Sequence, residues 1–304
     1  MSVYEEFSLL EFQKQFQTEE DCVERLTNLR WPGGFLCPRC GCTRGYCLAG
    51  RREIECANQD CKHQTSVTAG TVFHKTRTPL QKWFWTIFLV SQDKGGTSAL
   101  RLSKLVEVSE GTAWLMLHKI RTAMGKQEQN VLLAGFIELD EAFFGRAATG
   151  KKPDKADNQA QVLVMIESVG ERAGKIDMRV IESADKETIG KSVEEKVEPQ
   201  QSFKTDGWRA HAVIDQMGHE LEAKAIPAEL ASEELPWVHK AISLAKRFIL
   251  GTYHGVSKKH LQRYLNEFCY RFNRRFTEAQ LFARLLATCI SNSSCTYASL
   301  TDTA

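Results

Sequence analysis

Two aspartates stand out by their setting. Asp140 in GFIELDEAFFG and Asp206 in QSFKTDGWRAH each lie at the end of, or just after, an apolar run that reads as a β-strand. Thirty-three residues after Asp206 comes His239, and seven further on Lys246, both in the helix-like stretch LPWVHKAISLAKRFILGTYHGV. Seven residues is close to two helical turns, so the two side chains share a face. Divalent cations need hard oxygen ligands on rigid elements, and a pair of ions can clamp the attacking and leaving oxygens of a phosphodiester. The layout predicts phosphoryl transfer on a nucleic acid, with Asp140, Asp206 and His239 holding Mg²⁺ (or Mn²⁺) and Lys246 meeting a phosphate. An isolated histidine of this kind is more often a packed or surface residue than a ligand. Its register with Lys246 is what favours ligation. Glu141 is adjacent to Asp140 and should point to the other face of its strand. Glu233 and Glu234 precede Pro236 and should lie before the helix.

A second cluster lies near the front. Six of the ten cysteines fall between Cys37 and Cys61, in CPRCGCTRGYC and CANQDC. Pairs such as Cys37/Cys40 and Cys56/Cys61 form short knuckles that present two thiolates each, the donor set of a tetrahedral Zn²⁺. Cys42 and Cys47 are extra, and His63 could replace a cysteine. A disulfide-bonded segment fits poorly in a chain without a secretion signal. The start, MSVYEEFSLLEFQ, is too acidic for a signal peptide, and no apolar run reaches the length of a membrane span. A cytoplasmic, nucleoid-associated protein is the expectation.

The net charge of +2 announces no nucleic-acid partner, but its distribution does. Residues 237–276 carry nine Lys/Arg against the single acid Glu267, interleaved with aromatics such as Trp237, Tyr253, Tyr264 and Phe272. Such a surface tracks phosphates. A solvated helix face over core aromatics is the plainer alternative.

These groups need elements to hold them. Residues 136–144, 161–169 and 175–183 read as strands, 186–197 as a helix and 202–205 as a fourth strand. A helix over 209–217, a short strand over 222–226 and a long helix from Pro236 follow. Three antiparallel strands followed by alternating helices and strands is the order of the α/β ribonuclease H-like fold, in which strands one and four are central neighbours. Upstream, a helix begins near Thr78 and Pro79. Two further helices with Ser109 as N-cap resemble a helix-turn-helix, whose second helix would carry Thr112, Trp114, His118, Lys119 and Arg121 towards DNA. An ordinary helical hairpin is the alternative. The plan is a helical segment (1–30), a zinc ribbon (31–70), a helical DNA-binding region (71–130), a catalytic domain (131–285) and a flexible tail (286–304).

The blocks CPRC, TRTPLQKWFW, SALRLSKL, TAWLMLHKIRTAM, IELDEAFFG, KTDGWRAH and LPWVHKAISLAKRFILGTYHGVSKKHLQRYLNEFCYRFNRR together resemble bacterial insertion-sequence transposases of the zinc-ribbon ISXO type, in the DDE group. The resemblance runs over residues 20–286. It implies a metal-dependent DNA transposase, with terminal inverted repeats and target DNA as partners and a homo-oligomer assembled on DNA. By position, Asp140 and Asp206 are the first two metal carboxylates, and His239 stands where the group usually has Glu. Two rivals remain. His260 and Arg263 match the H-x-x-R pair of tyrosine recombinases, with Tyr297 downstream, and the missing third acid suits a non-catalytic DNA binder with a decayed nuclease-like domain.

Overall fold

The computed structural model describes residues 7–48, 50–145, 159–227, 229–293 and 295–301. The chain forms two compact units, one of residues 1–124 with 277–304 and one of residues 125–276. No helix among the described residues is long and apolar enough to cross a membrane.

The first unit opens with α1 (Leu9–Gln15) and α2 (Glu19–Arg30). Thr18 starts α2 with a reciprocal cap: its hydroxyl accepts the Asp21 N–H at 3.2 Å, and the Asp21 carboxylate accepts the Thr18 N–H at 2.7 Å. Strands β1 (Gly45–Cys47), β2 (Glu53–Cys56) and β3 (Gln64–Ser66) then form an antiparallel meander, two hairpins that share their middle strand. Helices α3 (Leu80–Gln92) and α4 (Ala99–Leu105) follow, then α5 (Glu110–Glu128), whose end from Gly125 belongs to the second unit. Pro79 gives α3 no side-chain cap, so the Leu80 and Gln81 N–H groups donate instead to the Glu19 carboxylate at 2.9 and 3.1 Å.

The DNA-reading face expected of α5 needs correction. Ser109 does cap it, accepting the Thr112 N–H at 3.2 Å. His118 and Arg121, however, are buried with Ala113, Met116, Leu117, Ile120 and Met124, and Lys119 is half-buried. The apolar residues of α5 cover too much of its circumference for a surface helix, so those two side chains serve the interior.

In the second unit the chain runs through β4 (Phe136–Phe144), β5 (Ala160–Val169), β6 (Arg172–Ile181), α6 (Lys186–Lys196) and β7 (Ser202–Thr205). A 3₁₀ turn (Arg209–His211), α7 (Ala212–Gln216), β8 (Glu220–Ala223), α8 (Ala231–Glu234), α9 (Pro236–Tyr253) and α10 (Lys258–Phe272) complete it. The sheet order is β6-β5-β4-β7-β8, with the first three strands antiparallel and β7 and β8 parallel to β4. This is the ribonuclease H-like arrangement. Alternation along β4 separates two cores: Ile137 and Leu139 pack with Ile189, Val193, Phe203 and Ile214, while Ala142 and Phe144 pack with Val238, Ala245 and Leu265. Residues 162–166 of β5 are buried throughout, as a central strand covered on both faces requires. The last strand begins two residues before the expected 222–226. Its side chains are largely exposed, and pairing with β7 (Ser202↔Glu220) sets its place.

The chain then returns to the first unit as α11 (Leu281–Ser291) and α12 (Tyr297–Thr301). Residues 286–304 were expected to form a flexible tail. Leu286 and Cys289 are instead fully buried in α11, and Leu300 of α12 is buried too. The Ser/Thr-rich composition of the segment hides its few apolar anchors.

Candidate functional site

The parallel pairing of β4 with β7 matches Leu139 to Thr205, so Asp140 and Asp206 stand in the next row, side by side where the paired strands end. Gly207 makes the exit turn possible. Its φ is +80°, and a Cβ there would lie 3.0 Å from the Ala225 backbone nitrogen. Asp140 shares the even-numbered face of β4 with Glu138 and Ala142, the face that α9 covers. From α9, His239 brings Nε2 to 3.8 Å from Asp140 Oδ2. His239 and Lys246 line one surface groove with Ser243 and Arg247, as their spacing predicts.

Asp140 is pushed up to about 7, first by burial and then by the charges of Glu141 and Asp206. A buried carboxylate crowded by two others is short of a positive charge, which a divalent cation would supply. Burial holds His239 below the usual histidine range, so its imidazole is neutral and ready to ligate. Two ligands on one small cation can lie up to about 4.2 Å apart, and the His239–Asp140 separation is within that span. The donor set therefore fits a divalent cation. Asp140, Asp206 and His239 do not, however, draw their ligand atoms within 4.8 Å of one another, a closeness that among the described residues the cysteine quartet reaches.

The other acids are engaged elsewhere. Glu141 points to the opposite face of β4, where its Oε1 accepts from His211 Nε2 at 2.9 Å. The other His211 nitrogen, Nδ1, is 3.4 Å from Asp206 Oδ1. Burial opposes the charge of His211, yet the hydrogen bonds and charges of Asp206 and Glu141 push it up to about 9. In return, His211 holds Asp206 below the ordinary carboxylate range. Glu234 pairs with Lys204 at 2.7 Å and is held low by it, while Glu233 is exposed; both lie in α8, ahead of Pro236. His260 and Arg263 sit together on α10, Nδ1 to Nη1 2.7 Å, whereas Tyr297 belongs to the other unit.

In the first unit the sulfurs of Cys37, Cys40, Cys56 and Cys61 all lie within 4.8 Å of one another, and among the described residues no cysteine is in a disulfide. The first knuckle closes with the Gly41 N–H on the Cys37 carbonyl (2.9 Å), with Gly41 at φ +71°. The second has four intervening residues, and Lys62 takes the left-handed position at φ +43°. Four crowded thiols cannot all ionise without a cation. Burial pushes Cys56 up to about 12, while the backbone N–H groups of Arg39 and Cys40 overcome burial to bring Cys37 to about 7. Donor set and closeness fit a tetrahedral zinc. Cys42, Cys47 and His63 lie outside the quartet.

Residues 132–273 match the ISXO2-like transposase domain family, and residues 17–64 match the transposase zinc-ribbon domain. Over these two stretches the chain carries the transposase domain and the zinc ribbon of that type of transposase. A relative from Halobacterium salinarum, an uncharacterized protein in transposable element ISH50, is 23% identical over 278 residues, covering 84% of this chain and 91% of that protein. Among solved structures, a pre-cleavage Mos1 transpososome is 12% identical over 69% of this chain and 78% of its own, with a TM-score of 0.29. A Mos1 strand transfer complex is 12% identical over 70% and 78%, with a TM-score of 0.28.

Sequence reasoning overlooked Glu138 and His211. Glu138 carried a usable signal, since it lies two residues from Asp140 and so on the same strand face. His211 carried none until the turn after Asp206 folded it back.

Proposed function

We propose that this transposase cuts DNA at the ends of its element and joins the freed 3′-hydroxyl to target DNA, using divalent metal ions bound by Asp140, Asp206 and His239. The observation that supports this reading most is the emergence of Asp140 and Asp206 side by side on adjacent parallel strands, with the His239 imidazole facing Asp140. Water attacks the phosphodiester at the element's end and releases a 3′-hydroxyl; that hydroxyl then attacks a target phosphodiester in line, joining to its phosphorus and displacing the target strand's 3′-oxygen, which leaves as a hydroxyl. Bound Mg²⁺ or Mn²⁺ supplies activation of these nucleophiles and stabilisation of charge on the leaving oxygen. Asp140 on β4, Asp206 just beyond β7 and His239 through Nε2 would hold the ions, and Lys246 would hold a neighbouring phosphate. Since the two ends of an element must be processed together, the working form is a homo-oligomer on DNA.

The test is cleavage of a duplex carrying the element's terminal repeats, with Mg²⁺ or Mn²⁺ and with chelator. His239→Ala should lose most cleavage. Because nitrogen ligands suit Mn²⁺ better than Mg²⁺, wild type should gain from Mn²⁺ more than His239→Glu does. Tight binding of the repeats without metal-dependent cleavage by wild type would favour the non-catalytic DNA binder instead.

A further inference from the structure

Strand β4 reads Glu138-Leu139-Asp140-Glu141, and the metal scheme uses only the aspartate. Both glutamates are nevertheless well shielded from water, Glu138 at 2% exposure and the Glu141 side chain at 12%. Shielded carboxylates are costly unless hydrogen-bonded. Glu138 is satisfied by the helix that carries His239, and Glu141 by a histidine in the turn that follows Asp206.

Glu138 Oε2 accepts the N–H groups of Trp237 and Val238, at 2.8 and 2.9 Å, in the first turn of α9. That helix opens on Pro236, which has no N–H, and Leu235 offers no side-chain cap. Glu138 therefore closes a turn that its own sequence leaves open. Glu138 and Asp140 point to one face, about 7 Å apart along the strand. His239 directly follows Val238, so the grip on this first turn sets both the axial position and the rotation of α9 at the point where His239 meets Asp140. On the other face, Glu141 holds His211 at 2.9 Å, and the second nitrogen of that fully buried ring lies 3.4 Å from Asp206.

We propose that Glu138 and Glu141 are positioning residues of the metal site: Glu138 aligns His239 through the first turn of α9, and Glu141 aligns Asp206 through His211. The proposal rests on the metal-site reading given above. Residues that orient metal ligands typically change metal affinity by about 10–100-fold when removed.

The experiment is Mn²⁺ binding to the full-length protein by calorimetry, with circular dichroism as a check on folding. Glu138→Ala should weaken Mn²⁺ binding at least about 10-fold, whereas Glu138→Gln, whose amide oxygen still accepts both N–H groups, should stay within about 3-fold of wild type. In a His239→Ala background, Glu138→Ala should add less than about 2-fold, because the ligand it aligns is gone. Glu141→Ala and His211→Ala should each weaken binding, and the double variant should bind no more weakly than the worse single one.

An equal loss from Glu138→Ala in the wild-type and His239→Ala backgrounds would overturn the positioning role. So would a folded Glu138→Ala protein of unchanged affinity. Unchanged Mn²⁺ affinity in His239→Ala alone would overturn the ligand assignment and the Glu138 role together, which tells the two failures apart. Should the alanine variants not fold, Glu138→Asp against Glu138→Gln decides: the shortened acid should bind Mn²⁺ at least about 10-fold more weakly, and equal affinities would refute the proposal.

Discussion

The two candidate metal sites are built in opposite ways. The four sulfurs come from residues 37–61, two tight turns joined through the β1–β2 hairpin, and they converge within 4.8 Å. The acidic site draws on residues 140, 206 and 239, placed by two strands and a helix, and its ligand atoms converge less closely. A closed quartet on local turns suits an ion whose task is to hold the fold; an open, scaffold-borne set leaves room for water and substrate. Losing metal should therefore unfold one site and silence the other.

The largest effect expected is on chemistry. Asp140→Ala or Asp206→Ala should lower strand cleavage by on the order of 10³-fold or more, since each removes a charged ligand, while binding of terminal DNA stays near wild type. A gel-based cleavage assay beside a binding assay reads both, and retained cleavage in either variant would dismantle the assignment.

Next comes the quartet. Cys37→Ser with Cys40→Ser should release about one zinc per chain and loosen the ribbon, because small zinc modules take much of their folding energy from the ion. Mn²⁺ affinity of the acidic site should be unaffected. Metal analysis of freshly purified wild-type protein that finds no zinc would count against the comparison at its root.

A smaller effect concerns pH. Asp140 has a folded value of about 7 against 3.8 for the free group, so its contribution to stability is present below pH 4 and lost as pH rises towards 7. His211, about 9 against 6.5, contributes fully below 6.5 and loses this as pH rises through 9. Both act in one direction and outweigh the opposite, smaller trend of His239 below pH 6.5, so the acidic site without metal should cost the protein a few degrees of Tm between pH 5 and 9. Mn²⁺ should recover the part due to Asp140, and Asp140→Asn should flatten the curve below pH 7. Calorimetric scans across this range check the sign; a Tm that rises with pH would contradict it.

The smallest effect belongs to the basic surface. Lys258 and Lys259 open α10, and replacing both with alanine should flatten the log–log salt dependence of DNA binding by about 1.8, the release of two counterions. An unchanged slope moves the phosphate contacts elsewhere.

How much of this was legible in the sequence follows from the same contrast. The quartet could be read from spacing alone, because its geometry is set within a few residues of each ligand. Asp140 and Asp206 were legible because each closes an apolar run, and β4 and β7 have the bounds that the run of apolar residues gives. What bound them together was not. Glu138 meets α9 some hundred residues away, and His211 reaches Glu141 only after the turn at Gly207. The interior place of α5 was missed for a related reason: His118 and Arg121 look like surface residues until their burial is known.

The division of the first unit has a consequence for the order in which the protein is made. Phe282 of α11 packs edge-on or tilted into the ring cluster of Phe12, Phe16, Phe84 and Phe88, with centroids 4.9–6.3 Å from ring to ring in the contacts Phe16–Phe84, Phe12–Phe282 and Phe84–Phe282. The ribosome releases the rings at 12–88 first, then the whole 125–276 unit, and the last ring only afterwards. The first unit therefore waits, with its aromatic core incomplete, while the sheet of the second unit can already close. A chain that stops early, near residue 276, would carry every member of the acidic site and still lack a finished front unit.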